Sequence, residues 1–109
     1  MSTWFVSRHP GALQWMRAHG PAFERHVTHL EESDFWQLGS GDIVIGSLPV
    51  HLAARVCARG AQYWNLSLNM PASARGQELS ADDLRSMGAA LERFEVRAVR
   101  EVLQHLAPA

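Results

Sequence analysis

Apolar residues in this chain gather in short blocks, most of them the length of a β-strand, separated by Gly, Pro and Ser. Thr3 to Ser7 (TWFVS) is aromatic and β-branched and predicts a strand that stops at Arg8-His9-Pro10-Gly11. Pro10 suits the first turn of a helix carrying Ala12, Leu13, Trp15 and Met16, which Gly20 ends. Arg25 to Leu30 alternates weakly and reads as a second strand, and Glu31 to Gly41 as a loop or a single helical turn. Asp42 to Gly46 (DIVIG) is a continuous apolar run of the kind buried on both faces of a sheet. Val50 to Arg59 sets Leu52, Ala53, Val56 and Cys57 on one helical face, with Gly60 as the stop. Gln62 to Leu68 is a fourth strand, followed by the loop Asn69 to Leu79.

Ser80-Ala81-Asp82-Asp83 is a capping-box start with Asp83 in the N3 place. Leu84, Met87, Leu91, Phe94, Ala98, Val102 and Leu106 then recur at three- and four-residue spacing and predict one long last helix. Unbroken it would reach ~40 Å at 1.5 Å per residue, so a kink near Gly88 or Phe94, or a face packed on another copy, is expected. The order β-α-β-β-α-β-α predicts an α/β domain with a mostly parallel sheet of about four strands and helices on both faces. Ligands of such sheets bind beyond the carboxyl ends of the strands, at the switch in strand order. That rule singles out Ser7 to Gly11, Gly46 to His51 and Asn69 to Glu78.

Composition narrows the picture. The 109 residues make one domain, residues 1–109, and a chain of this length buries roughly two-thirds of its unfolded surface, enough to fold without staples. The single cysteine, Cys57, forbids an intrachain disulfide and reads as a small core residue, which favours a reducing compartment. No apolar run reaches the roughly 18 residues of a membrane span, and MSTWFVSRHPGA lacks the layout of a signal peptide, so a cytoplasmic protein is expected. A net charge of −1 speaks against a general grip on duplex nucleic acid. All ten basic residues are arginine, so anion chemistry here falls to Arg, His and backbone N–H groups.

Candidate chemistry follows from position. Ser7, Arg8, His9 and Gly11 put a hydroxyl, a guanidinium and an imidazole at a strand end that opens a helix, where free N–H groups and the helix dipole attract anions. Arg8 can hold a phosphate bidentately, and His9 can exchange a proton near neutral pH. Gly46 and Ser47 repeat this at the next strand end, with His51 in the first helical turn. Asn69, Arg75 and Gly76 lie in a loop long enough to suggest function, with Arg75 a second phosphate clamp. No HExxH, P-loop or GxGxxG is present, and His26 and His29 in a strand would face opposite ways, so no metal or other cofactor is expected. The tryptophans read mainly as core, although Trp36, in a polar stretch, could stack on a base.

FVSRHPGA, GDIVIGSLPVHLAARVCARGAQYWNLSL and RGQELSADDL, over residues 4 to about 95, resemble the small accessory family of type III CRISPR systems, the Csx group. The resemblance implies a ring nuclease with a Rossmann-like, CARF-like fold. It implies a homodimer that holds cyclic oligoadenylate, most often cyclic tetra-adenylate, across its two-fold axis. Cleavage would be metal-independent, by attack of the ribose 2′-hydroxyl on the adjacent phosphorus. Arg8, with Arg75 from either subunit, would stabilise charge, His9 or else His51 would move a proton, and Ser7, Ser47 and the N–H groups at Gly11 would hold phosphate and ribose. Two alternatives stand beside it: a binding protein that sequesters the ring intact, and an adaptor subunit with no small-molecule affinity.

Overall fold

The structure is a computed structural model that describes residues 1–103. Its elements are β1 (Thr3–Val6), α1 (Pro10–His19), β2 (Arg25–Val27), α2 (Glu32–Gln37), β3 (Ile43–Gly46), α3 (Val50–Ala58), β4 (Gln62–Ser67), a 3₁₀ turn (Ala72–Ala74), α4 (Ala81–Ser86) and β5 (Ala90–Phe94). They form a five-stranded sheet in the order β2-β1-β3-β4-β5, with β1 to β4 parallel and β5 antiparallel to β4. The expected α/β architecture with helices on both faces stands, with one more strand than the four expected.

Alternation along the strands builds two cores. Trp4, Val6, Val44 and Tyr63 face one side, where Phe35 and Leu38 around α2 and Ala53 and Val56 of α3 cover them. Phe5, Ile45 and Leu66 face the other, under Trp15 and Met16 of α1 and Leu84 of α4. Arg55 clips α3 to α2 by donating to both oxygens of the Glu32 carboxylate, each at 2.8 Å, while its guanidinium lies 4.0 Å over the Phe35 ring. That donation holds the Glu32 carboxyl below its ordinary range.

The largest correction concerns the last helix. The capping box forms as expected, with Asp83 N donating to Ser80 Oγ at 3.1 Å and Ser80 N to the Asp83 carboxylate at 2.9 Å. The helix then stops after six residues, because Gly88 takes a φ of 71° and the chain reverses. Residues 90–94 return along β4, pairing Leu66 with Leu91 and Tyr63 with Phe94. Leu91 and Phe94 fit a helical spacing, but Leu-Glu-Arg-Phe also fits an edge strand whose one inward position, Leu91, reaches the core. Val102 is exposed outside any element, and Leu106 lies outside the described residues.

Smaller differences matter for the site. Residues 32–37 form a true helix with Phe35 as its buried anchor. The second strand ends at Val27, where Ser7 N donates to Val27 O at 3.0 Å, so the expected alternation through His29 does not apply. Cys57 is only partly buried, its Sγ 3.9 Å from Phe94 O. Among the described residues, no helix is long and apolar enough to cross a membrane.

Candidate functional site at the strand-order switch

In this sheet β1 leads through α1 to β2 on one side, and the chain then crosses β1 to lay down β3 on the other. The carboxyl ends of β1 and β3 therefore diverge into different connections, leaving a crevice between them. A cavity of ≈ 540 Å³ opens there. Ser7, Arg8, His9, Thr28, His29 and Ser47 supply its polar lip, and Leu66, Leu68, Met70 and Leu79 form an apolar wall opposite. Such a mixture of apolar surface and a few polar groups is typical of small-molecule sites of roughly 300–1,000 Å³.

The β1 end is built by its own backbone. His9 N donates to Ser7 Oγ at 3.1 Å, holding the turn, and His9 occupies the N-cap of α1 in extended conformation. Pro10 opens the helix without needing an N–H partner, and no side chain caps α1, so the N–H of Gly11 is left at the opening turn. Arg8 and His9 are exposed at the lip, and Arg8 makes no ion pair among the described residues. His26, from β2, holds Ser7 from below, its Nε2 2.9 Å from Ser7 O and its ring stacked on Phe5 at 5.9 Å.

The β3 end rests on a buried phenol. Leu48 N donates to Tyr63 Oη at 2.9 Å, and the hydroxyl proton faces Asn65 Oδ1 at 2.6 Å and Gly46 O at 3.1 Å. Asn65 in turn donates to Ser67 Oγ at 2.8 Å. Burial pushes the Tyr63 hydroxyl above the ordinary tyrosine pKa. Ser47 Oγ donates to Leu66 O at 3.1 Å, which binds the turn to β4. The sequence reading passed over Tyr63 because a Tyr in a strand looks like core; the hint lay in Tyr63, Asn65 and Ser67 sharing one strand face.

Of the predicted site residues, Ser7, Arg8, His9, Gly46 and Ser47 meet at this cavity. Gly46 lies close against β1, where a Cβ would fall 2.6 Å from Val6 O. Gly11, His51, Asn69, Arg75 and Gly76 are not part of its lining. Gly11 is buried where a Cβ would fall 1.8 Å from Leu79 O, so it lets α1 seat against the cavity wall. His51 is exposed in the first turn of α3, and Asn69, Arg75 and Gly76 are exposed in the loop whose Met70 and Gln77 do reach the cavity. Trp36 lies away from it, with the Arg59 guanidinium 5.4 Å over its ring. Thr28 and His29 were hidden by the overextended second strand. Among the described residues no three His, Cys, Asp or Glu side chains gather as a metal site.

No curated protein and no solved structure gives a significant match to the chain. A family model described as "Putative CRISPR-associated protein (Cas_VVA1548)" matches residues 4–97, which include both strand ends of the cavity and all of its lining residues. The chain belongs to that CRISPR-associated family.

Proposed function

We propose that this protein is a ring nuclease of type III CRISPR signalling, a cytoplasmic homodimer of Csx-group, CARF-like subunits that binds and cleaves cyclic tetra-adenylate. The observation that carries the reading is the cavity at the β1–β3 switch, where Ser7, Arg8, His9 and Ser47 stand beside an apolar wall. A phosphate suits the guanidinium and the uncapped start of α1, and an adenine face suits the leucine and methionine surface. A volume of ≈ 540 Å³ accommodates a nucleotide-sized group but is overfilled by a four-nucleotide ring. A second copy facing the first would complete the site.

In the proposed reaction the ribose 2′-oxygen attacks the adjacent phosphorus in line. The 2′-O–P bond forms, the P–O5′ bond breaks, and the products are a 2′,3′-cyclic phosphate and a 5′-hydroxyl. The protein's tasks are to orient the 2′-oxygen, balance charge on the phosphorane and exchange protons with the entering and leaving oxygens. Arg8 neutralises the developing charge, with Arg75 of either subunit as a second clamp. His9 transfers the proton at the leaving oxygen, His51 being the second candidate. Ser7, Ser47 and the Gly11 N–H hold phosphate and ribose, with Gly46, Asn69 and Gly76 shaping the surrounding backbone.

Multiple-turnover incubation with cyclic tetra-adenylate in excess chelator, followed by chromatography, tests the reading. Linear product ending in a 2′,3′-cyclic phosphate, beyond one equivalent per dimer, is expected. Arg8→Ala and His9→Ala should each slow cleavage by about 10²–10⁴-fold, the range of a lost catalytic group, without unfolding the domain. Intact ring recovered with tight binding would make the protein a sequestering one; no binding would leave the adaptor reading.

A further inference from the structure

Just past β2 the chain reads Thr28-His29-Leu30-Glu31. The three polar side chains form a connected row. His29 Nε2 lies 2.6 Å from Glu31 Oε1, and His29 Nδ1 lies 3.2 Å from Thr28 Oγ1. A carboxylate can only accept, so Glu31 fixes the tautomer with the proton on Nε2. Nδ1 is then left with a lone pair, and a hydroxyl already sits on it. Thr28 and His29 both line the ≈ 540 Å³ cavity.

Glu31 is held in turn by the start of α2. It is the N-cap residue of that helix, and its N–H donates to the Asp34 carboxylate at 2.8 Å. Hydroxyl, imidazole and carboxylate thus stand in the order a general base needs: a proton donor, an acceptor nitrogen and a group that orients the ring and stabilises the imidazolium. His29 is well exposed, with 71% of its side chain accessible, so a substrate hydroxyl can reach Nδ1.

Resting on the ring-nuclease reading above, we infer that His29, oriented by Glu31, is the general base of the reaction, and that the ribose 2′-hydroxyl replaces the Thr28 hydroxyl at Nδ1. The 2′-proton passes to Nδ1 as the 2′-O–P bond forms. The P–O5′ bond breaks, and the leaving 5′-oxygen takes its proton from His9 across the cavity. The imidazolium at His29 and the neutral imidazole at His9 then return to their starting states by exchange with solvent. This gives the two histidines separate roles and accounts for an imidazole–carboxylate pair at the mouth of a cavity, where no packing requires one.

The test is cleavage of cyclic tetra-adenylate by wild type, His29→Ala and Glu31→Gln, each with ring affinity, a pH–rate profile and a thermal melt. His29→Ala should melt like wild type, bind the ring within a few-fold, cut it about 10²–10⁴-fold more slowly, and regain activity with added imidazole. Its pH–rate profile should differ in shape from that of wild type; the other ionisable groups lining the cavity are Arg8 and His9. Glu31→Gln keeps a hydrogen-bonding group beside the His29 ring but removes the charge, and should slow cleavage less than His29→Ala does. Cleavage by His29→Ala within about twofold of wild type with an unchanged profile would overturn the assignment and leave the nuclease reading standing. Loss of binding together with cleavage, with no imidazole rescue, would make His29 a binding residue and also overturn it. An inert wild type would overturn both.

Discussion

At the scale of single residues, the site depends on groups that never reach its surface. Tyr63 is 3% exposed, yet its hydroxyl accepts the Leu48 N–H and faces the Gly46 carbonyl, so it fixes the turn that presents Ser47. Tyr63→Phe keeps the ring and removes the partner of a partly buried N–H, which should cost about 1 kcal/mol in urea denaturation and weaken ligand binding. As this is the only tyrosine of the chain, tyrosinate absorbance reports it cleanly. Burial raises its folded pKa, so its contribution to stability is full below about pH 10 and is lost as pH rises through the folded value. Absorbance should therefore lag that of the unfolded chain, and coincident titrations would contradict the buried position. Gly11 is a second hidden determinant. Gly11→Ala drives a methyl to 1.8 Å from Leu79 O, so it should push the loop wall away from α1 and loosen the cavity, read as a lower melting temperature and weaker ring binding. Tyr63 was not singled out by the sequence; Gly11 stood out at a strand–helix junction, whereas its partner Leu79 lies 68 positions on and no local pattern joins them.

Elements were legible where one period dominated. β1, β3 and β4 and the helices α1 and α3 carry strong apolar blocks with Gly or Pro at their ends, and they form close to where the pattern puts them. The stretch after Ser80 carries two periods at once, and a single glycine decides between them. Gly88 at φ 71° lets the chain leave α4 and turn, with Ala89 N donating to Leu84 O at 3.0 Å, before β5 pairs with β4. Gly88→Ala should cost about 1–2 kcal/mol, the penalty of a left-handed conformation for a residue with a Cβ, seen in the denaturation midpoint. If the helix ran on instead, Ala would stabilise it, so the sign of the change tests the fold itself. The start of α4 adds a pH dependence. Hydrogen bonds from Ser80 hold the Asp83 carboxyl below its ordinary range, so this stabilisation is present above about pH 4 and is lost as pH falls through the folded value. Asp83→Asn should flatten that acid limb in melts recorded against pH.

At the scale of the molecule, the site arises from topology more than from any one motif. The sequence order of strands does not reveal which pairs with which; the inversion that sets β1 between β2 and β3 comes from closing two crossovers on opposite sides of one strand. Once that order exists, Ser7, Arg8, His9 and Ser47 converge although 40 positions separate the first from the last, and Thr28 and His29 join them from the neighbouring strand end. The rule of ligands at carboxyl ends named the right end of the sheet, while Arg75 and His51, placed by the same rule, stand outside the lining of a single chain's cavity. The two facts fit together if the ligand is larger than one cavity. A four-nucleotide ring on a two-fold axis would present two equivalent phosphates to two copies of Arg8, and residues outside each cavity would meet the ring where the copies join. The net charge of −1 leaves two copies free of strong mutual repulsion. Native mass spectrometry with cyclic tetra-adenylate should therefore show one ring per two chains, and Arg8→Ala should weaken the complex while leaving that ratio intact. A complex of one ring with one chain would remove the two-fold arrangement and confine the reaction to the cavity of a single subunit.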